Sequence, residues 1–167
     1  MKCTKSRART AAAGVCVVLL TVLDQFTKWL AVRQLMDRPP AVLIPGILEL
    51  QYLENRGAAF GMLQHRQLLF IALSAAVLVF GSWLFLFRIP DNVRFRPLNL
   101  VCLLLLSGAL GNLIDRVRLS YVIDFIYVKC IDFPVFNVAD CYVTVGAALL
   151  AFLLMFHYRE EELAGIL

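Results

Sequence analysis

The sequence predicts a membrane protein that is all-α apart from a small β element: four transmembrane helices and a small extracytoplasmic β-sheet. Three observations carry this expectation. The chain is 61% hydrophobic and only 17% charged, too apolar for an ordinary soluble domain. Its apolar residues are gathered into long runs rather than spread at the period of a soluble core. Two of the connectors between those runs read as extended chain. Residues 1–167 are expected to form one integral membrane domain, with no second globular module, no internal repeat and no low-complexity stretch.

A helix that crosses the ~30 Å hydrocarbon layer needs about 20 apolar residues. Four segments qualify, at about 11–32, 68–87, 98–114 and 138–157. The first has the basic start and apolar middle of a secretory signal peptide. No small-x-small cleavage pattern follows Leu23, and Asp24-Gln25-Phe26-Thr27-Lys28-Trp29 continues the helical pattern, so it reads as an uncleaved span. The second carries no charge. The connector after the first span has turn punctuation at Pro45-Gly46, then alternation that would put Leu48, Leu50 and Tyr52 on one face and Glu49 and Gln51 on the other. Residues 120–129 are rich in β-branched and aromatic side chains and also read as a strand. A small sheet at the membrane surface would satisfy the backbone of both connectors internally.

Charge sets the orientation. Placing the N-terminal tail, the 88–97 connector and the C-terminal tail on one side gives eight basic residues there and eight on the other. Density breaks the tie: Lys2, Lys5, Arg7 and Arg9 crowd the N-terminal tail, and Arg88, Arg94 and Arg96 crowd one short connector. Short basic flanks count most, so both termini are expected in the cytoplasm, beside anionic membrane lipids. No aromatic-interleaved basic surface accompanies these charges, which argues against nucleic-acid binding. The five cysteines form no CxxC pair and no His-Cys cluster, so no metal site and no cofactor are expected. Cys130 and Cys141 could meet outside the membrane. His65 and His157 flank helix ends and read as structural or interfacial.

The polar residues inside this apolar chain are the candidates for chemistry, because an ionisable group near hydrocarbon costs at least a few kcal/mol. Asp24 and Lys28 are i,i+4 neighbours. They could be a weak salt pair with a snorkelling lysine, or the support of a site. Asn55-Arg56-Gly57-Ala58-Ala59-Phe60-Gly61 reads most simply as a turn. Gly108 and Gly111 suit close helix contact in lipid. Asn112, Asp115 and Arg116 share one helix face, either as a self-neutralising polar cap or as support of a site. Asn137 and Asp140 resemble a capping box after Pro134, so Asp140 has a structural reading too. Asp124 has none comparable, since it lies mid-strand in Tyr121-Val122-Ile123-Asp124-Phe125-Ile126-Tyr127-Val128. On these residues alone, a transporter or channel subunit, an assembly partner and an acid hydrolase all remain open.

Five motifs taken in order narrow the choice. Asp24-Gln25-Phe26-Thr27-Lys28, Asn55-Arg56-Gly57-Ala58-Ala59-Phe60, Gly108-Ala109-Leu110-Gly111-Asn112-Leu113-Ile114-Asp115-Arg116, Val122-Ile123-Asp124-Phe125-Ile126 and Phe136-Asn137-Val138-Ala139-Asp140 resemble the successive signature blocks of the lipoprotein signal peptidases, the type II signal peptidases of bacteria. The resemblance implies a multi-pass intramembrane aspartic endopeptidase of the bacterial cytoplasmic (inner) membrane, with its active site near the extracytoplasmic face. It would act on lipid-modified prolipoproteins and cut just before the diacylglyceryl-cysteine. The family's catalytic dyad falls on Asp124 and Asp140. Its supporting polar residues fall on Asp24, Lys28, Asn55, Gly57, Asn112, Asp115, Arg116 and Asn137. No metal is implied, and nothing in the sequence requires more than a monomer.

Overall fold

A computed structural model describes residues 7–57 and 67–166. Residues 58–61 of the Asn55 motif, together with His65 and Cys3, lie outside the described residues. Four helices are long and apolar enough to cross a membrane: Arg7–Leu35, Gln67–Arg88, Val93–Leu119 and Val138–His157. Within them we define α1 (Arg7–Leu35), α2 (Gln67–Trp83), α3 (Arg96–Leu119) and α4 (Val138–Phe152). Helices α2 and α4 each end in a wider π turn, Leu84–Arg88 and Leu153–His157. A short α5 (Glu160–Ala164) follows.

The helices run past the apolar stretches that announce them. Hydropathy reports the part that sits in hydrocarbon, whereas the backbone ladder continues until something stops it. The 29 residues of α1 span about 43 Å, which reaches through the headgroup layers as well. Helix α3 stops where Ser120 turns to a left-handed φ of 71° and its N–H closes on the Arg116 carbonyl.

Helix α3 is the centre of the bundle, and α1, α2 and α4 all pack on it. Its small residues make this possible. A Cβ on Gly108 would lie 2.6 Å from the Ala139 carbonyl oxygen of α4, so the two backbones are closer there than any larger residue allows. Helix α2 buries no residue and presents its apolar surface to lipid.

Strands β1 (Ala41–Ile44), β2 (Leu48–Asn55) and β3 (Val122–Val128) form an antiparallel sheet in the order β1-β2-β3. Gly46, with φ of 72°, supplies the tight connection between β1 and β2. The sheet sits on the C-terminal end of α1, where Ala31 and Leu35 pack against Ile123 and Phe125, with Leu50 and Tyr52 at the margin. Leu50 and Tyr52 thus share a face as expected, but the opposite face is not simply solvated. Glu49 is buried and accepts a 2.7 Å bond from Lys129 Nζ. A register shift between Leu50 and Leu53 turns the end of β2 and leaves Leu53 exposed. Cys130 and Cys141 are both free thiols and do not pair. His157 ends its π turn with Nε2 3.1 Å from an Arg94 guanidinium nitrogen, an interfacial role.

Candidate active site

Asp124 and Asp140 are brought together by a chain reversal. Asp124 lies in the middle of β3. After a 3₁₀ turn at Lys129–Ile131 the chain doubles back, and Phe136 bridges to Ile126 through N–H···O bonds of 2.8 and 3.0 Å. The next residue, Asn137, is extended and caps α4. Pro134 keeps the preceding stretch from joining the helix. Asn137 thus lies beside β3, and Asp140 sits one turn into α4.

Asn137 joins the two carboxyls. Its Nδ2 donates to Asp124 Oδ1 at 2.6 Å, its backbone N–H donates to Asp140 Oδ2 at 3.2 Å, and its Oδ1 accepts from the Asp140 N–H at 3.0 Å. The capping box expected from the sequence is therefore present, and it also fixes one side of the Asp140 carboxylate. The other oxygen, Oδ1, accepts from Asn112 Nδ2 at 2.7 Å. Asp124 Oδ2 accepts from Asn55 Nδ2 at 2.7 Å. Every carboxyl oxygen has one amide donor, so both side chains are held in single rotamers.

Beneath them lies a buried ion cluster. Lys28 Nζ is 2.9 Å from Asp24 Oδ2 and 3.0 Å from Asp115 Oδ2, and it donates to Asn112 Oδ1 at 2.9 Å. Lys28 is 1% exposed and Asp24 is fully buried, so the lysine does not snorkel: it points inward. Asp115 pairs with Lys28 and accepts from the Ile123 N–H of β3 at 3.2 Å, so it is not neutralised by Arg116. Asp24 Oδ1 accepts from the Ala139 N–H at 2.8 Å, satisfying one of the open donors at the start of α4. The cluster thus pins α1, α3, α4 and β3 at one point.

The two aspartates open into a cavity of about 560 Å³ lined also by Asn55, Gly57, Phe70, Arg116 and Phe136. Gly57 donates its N–H to Asn55 Oδ1 at 3.0 Å, which leaves the Asn55 amide nitrogen free for Asp124. The turn expected at Asn55 and Gly57 is therefore present, and the same Asn55 side chain reaches Asp124. The Arg116 guanidinium stands 5.1 Å over the Phe70 ring and reaches the Asn112 carbonyl at 3.4 Å. Burial, and next the nearby charge of Asp140, push the Asp124 carboxyl from 3.8 up to about 7, against the bonds from Asn55 and Asn137 that favour its ionised form.

One contributor escaped the sequence reading. Gln25 donates to Asp115 Oδ1 at 2.9 Å and to the Gly111 carbonyl at 3.2 Å, so it ties α1 to α3. Its place beside Asp24 in the first motif was the available signal. The close helix contact expected at Gly111 is present, and a Cβ there would lie 2.5 Å from Asp24 Oδ2. Asp24 cannot retreat, because Lys28, Gln25 and Ala139 hold it. Gly111→Ala is expected to destabilise the fold by roughly 1–3 kcal/mol despite the better helix propensity of alanine. Gly14→Ala, where nothing lies within 4 Å of the added Cβ, is the control. Thermal unfolding in detergent would check this, and equal midpoints for the two variants would refute the steric argument.

The same fold is known elsewhere. Two solved structures described as a bacterial membrane enzyme, obtained in meso at 2.3 and 1.9 Å, superpose with TM-scores of 0.77 and 0.76 at 29% identity. They cover 90% and 89% of this chain and 93% and 95% of their own. The fold is thus that of a multi-pass membrane protein, shared with bacterial membrane enzymes. The family model for signal peptidase (SPase) II matches residues 16–156. The lipoprotein signal peptidase of Caldanaerobacter subterraneus subsp. tengcongensis is 45% identical over 148 residues, covering 86% of this chain and 96% of that protein. Those of Streptococcus pyogenes serotype M6 and Streptococcus thermophilus are 41% and 42% identical, over 87% and 92% of this chain and 92% and 97% of their own. The chain belongs to the signal peptidase II family, the lipoprotein signal peptidases.

Proposed function

We propose that this chain removes the signal peptide from diacylglyceryl-modified prolipoproteins, as an intramembrane aspartic endopeptidase that cuts just before the lipidated cysteine. The observation that carries the proposal is the pair of carboxyls, Asp124 and Asp140, held by amides on the wall of one cavity. Two neighbouring buried carboxyls share a proton near neutral pH. The ionised one takes a proton from water as the water attacks the scissile carbonyl. The protonated one polarises the carbonyl oxygen, then helps the leaving amine depart. Their titration belongs to the pair, so neither is assigned the proton. Arg116 lies where it can stabilise the developing charge. The Asn55–Gly57 segment and the sheet flank the substrate's path, while its acyl chains stay in lipid between helices. The enzyme works as a monomer, with both termini cytoplasmic and the sheet on the extracytoplasmic side of the inner membrane.

The test is cleavage of a purified diacylglyceryl-modified prolipoprotein by the detergent-solubilised protein, with the cut located by mass spectrometry. Cleavage before the modified cysteine that persists in EDTA is expected. No cleavage by folded protein, or loss of cleavage in EDTA, would remove the proposal.

The pH profile carries a further prediction. As pH rises through about 7 the pair loses its shared proton, so kcat/KM is expected to fall there. Asn55 donates to Asp124 and favours its ionised form. Asn55→Ala should therefore shift this alkaline limb to higher pH, whatever it does to the maximum rate. An unmoved limb would show that Asn55 does not tune Asp124.

A further inference from the structure

At the end of the bundle remote from the two aspartates, α1 and α2 each pack on α3 rather than closely on each other. The space between them is floored by α3 and holds two cavities. The outer one, about 370 Å³, is lined by Arg9, Asp91, Arg96 and Asn99. The inner one, about 360 Å³, runs deeper along Gly14, Val18, Leu78 and Leu110. Ala13, Phe85 and Leu103 line both, so the polar pocket continues into the apolar trench.

The pocket holds more donors than the fold uses. Arg9 Nη2 donates to Asn99 Oδ1 at 2.6 Å and Nη1 to the Ile89 carbonyl at 3.4 Å. Its Nε is buried with no hydrogen-bond partner among the described residues, 3.7 Å from Asp91 Oδ1. An unsatisfied buried N–H is costly, more so on a charged group. Asn99 spends its oxygen on Arg9, which leaves its NH₂ group as a donor. Arg96 has no ion-pair partner among the described residues. Arg9 and Arg96 line the pocket with a single carboxylate, Asp91, which is 34% exposed and can turn to water when another acceptor arrives. The trench fixes the nature of that acceptor. It opens between two lipid-facing helices, and from Leu103 to Leu110 it follows α3 for about 10 Å. An occupant must therefore be anionic at one end and hydrocarbon at the other.

We infer that this pocket and trench hold one anionic glycerophospholipid from the leaflet on that side. Its phosphate sits between Arg9 and Arg96, and one acyl chain lies along α3. The site is separate from the aspartates and serves the anchoring of α1 against α2 and α3.

The experiment uses the full chain in nanodiscs of equal parts phosphatidylglycerol and phosphatidylcholine, released into native mass spectrometry. Wild-type protein is expected to retain one phosphatidylglycerol in preference to phosphatidylcholine. Arg96→Gln should lower that preference about fivefold. Gly14→Leu tests the trench without touching either arginine, because an added Cβ there meets nothing within 4 Å. It should displace the retained lipid while the protein stays folded by circular dichroism. Unchanged phosphatidylglycerol retention in both variants would overturn the site. A thermal shift with inorganic phosphate alone equal to that with phosphatidylglycerol would also overturn it, since the trench would then contribute nothing.

Discussion

Replacing Asp124 or Asp140 by asparagine is expected to lower cleavage of a diacylglyceryl-modified prolipoprotein by roughly 10³-fold or more, each on its own. In the proposed mechanism the two carboxyls act as one proton-sharing unit, so losing either should cost nearly as much as losing both. Stability should move in the opposite direction at Asp124. Burial beside Asp140 pushes the Asp124 carboxyl from 3.8 up to about 7, so the folded pair holds a proton more tightly than the unfolded chain does. The sign of linkage then makes wild-type stability fall as pH rises from about 4 to about 7, by an amount of the order of 4 kcal/mol in the limit. Asparagine does not titrate. Asp124→Asn should therefore gain on wild type across that window and hold a constant advantage above it. Part of the gain is offset because an asparagine amide turns one NH₂ toward the donors from Asn137 and Asn55. Cleavage assays and thermal midpoints at pH 5 and 8 would decide the matter. Near-wild-type cleavage by either variant would sink the dyad. A stability difference independent of pH would show that Asp124 is ionised throughout.

The architecture was legible because membrane insertion writes itself into composition. Four apolar runs and two β-branched connectors can satisfy their backbones in few ways. The candidate pair stood out at Asp124, an acid in a strand of large apolar residues, and was ambiguous at Asp140, where a capping role and a proposed site role share the same side chain. The structure shows why the ambiguity arose: Asn137 serves as cap and as bridge at once. Lys28 was harder. At the level of spacing, an i,i+4 Asp–Lys pair near a helix end looks like a surface salt bridge. Only the packing of α1 on α3 shows that Asp115, 87 positions later, completes an inward cluster. The partners of Gln25 and Gly111 were hidden for the same reason, since each depends on which face of α1 meets which face of α3, although close helix contact at Gly111 was expected. The reversal at Phe136, which brings Asp140 to Asp124, rests on three backbone bonds and has no side-chain signature beyond Pro134.

Lys28→Met should be among the most damaging single changes in the molecule, although Lys28 touches neither aspartate of the proposed dyad. Methionine keeps much of the volume but leaves Asp24 and Asp115 as two buried carboxylates with no cation. Removing one partner of a buried ion pair typically costs about 3–5 kcal/mol. The effect on chemistry follows from donor logic. An ammonium can only donate, so Lys28 forces the Asn112 amide oxygen toward itself and the NH₂ toward Asp140. Without it the Asn112 oxygen keeps only the longer 3.2 Å bond from Asn137 Nδ2, so the amide turns more readily and the donor to Asp140 Oδ1 is less firmly held. Stability and cleavage should therefore fall together. They should separate on rescue: adding Asp24→Asn and Asp115→Asn to Lys28→Met removes the uncompensated charges and should restore much of the stability, because a neutral replacement of a buried ion cluster is often well tolerated. Cleavage should stay low, since only the 3.2 Å bond from Asn137 Nδ2 then holds the Asn112 oxygen. Thermal midpoints and kcat/KM for wild type, the single and the triple variant give the answer. A single variant as stable as wild type would mean that the cluster contributes no net stability. A triple variant with restored cleavage would mean that Lys28 does not orient Asn112 toward the site.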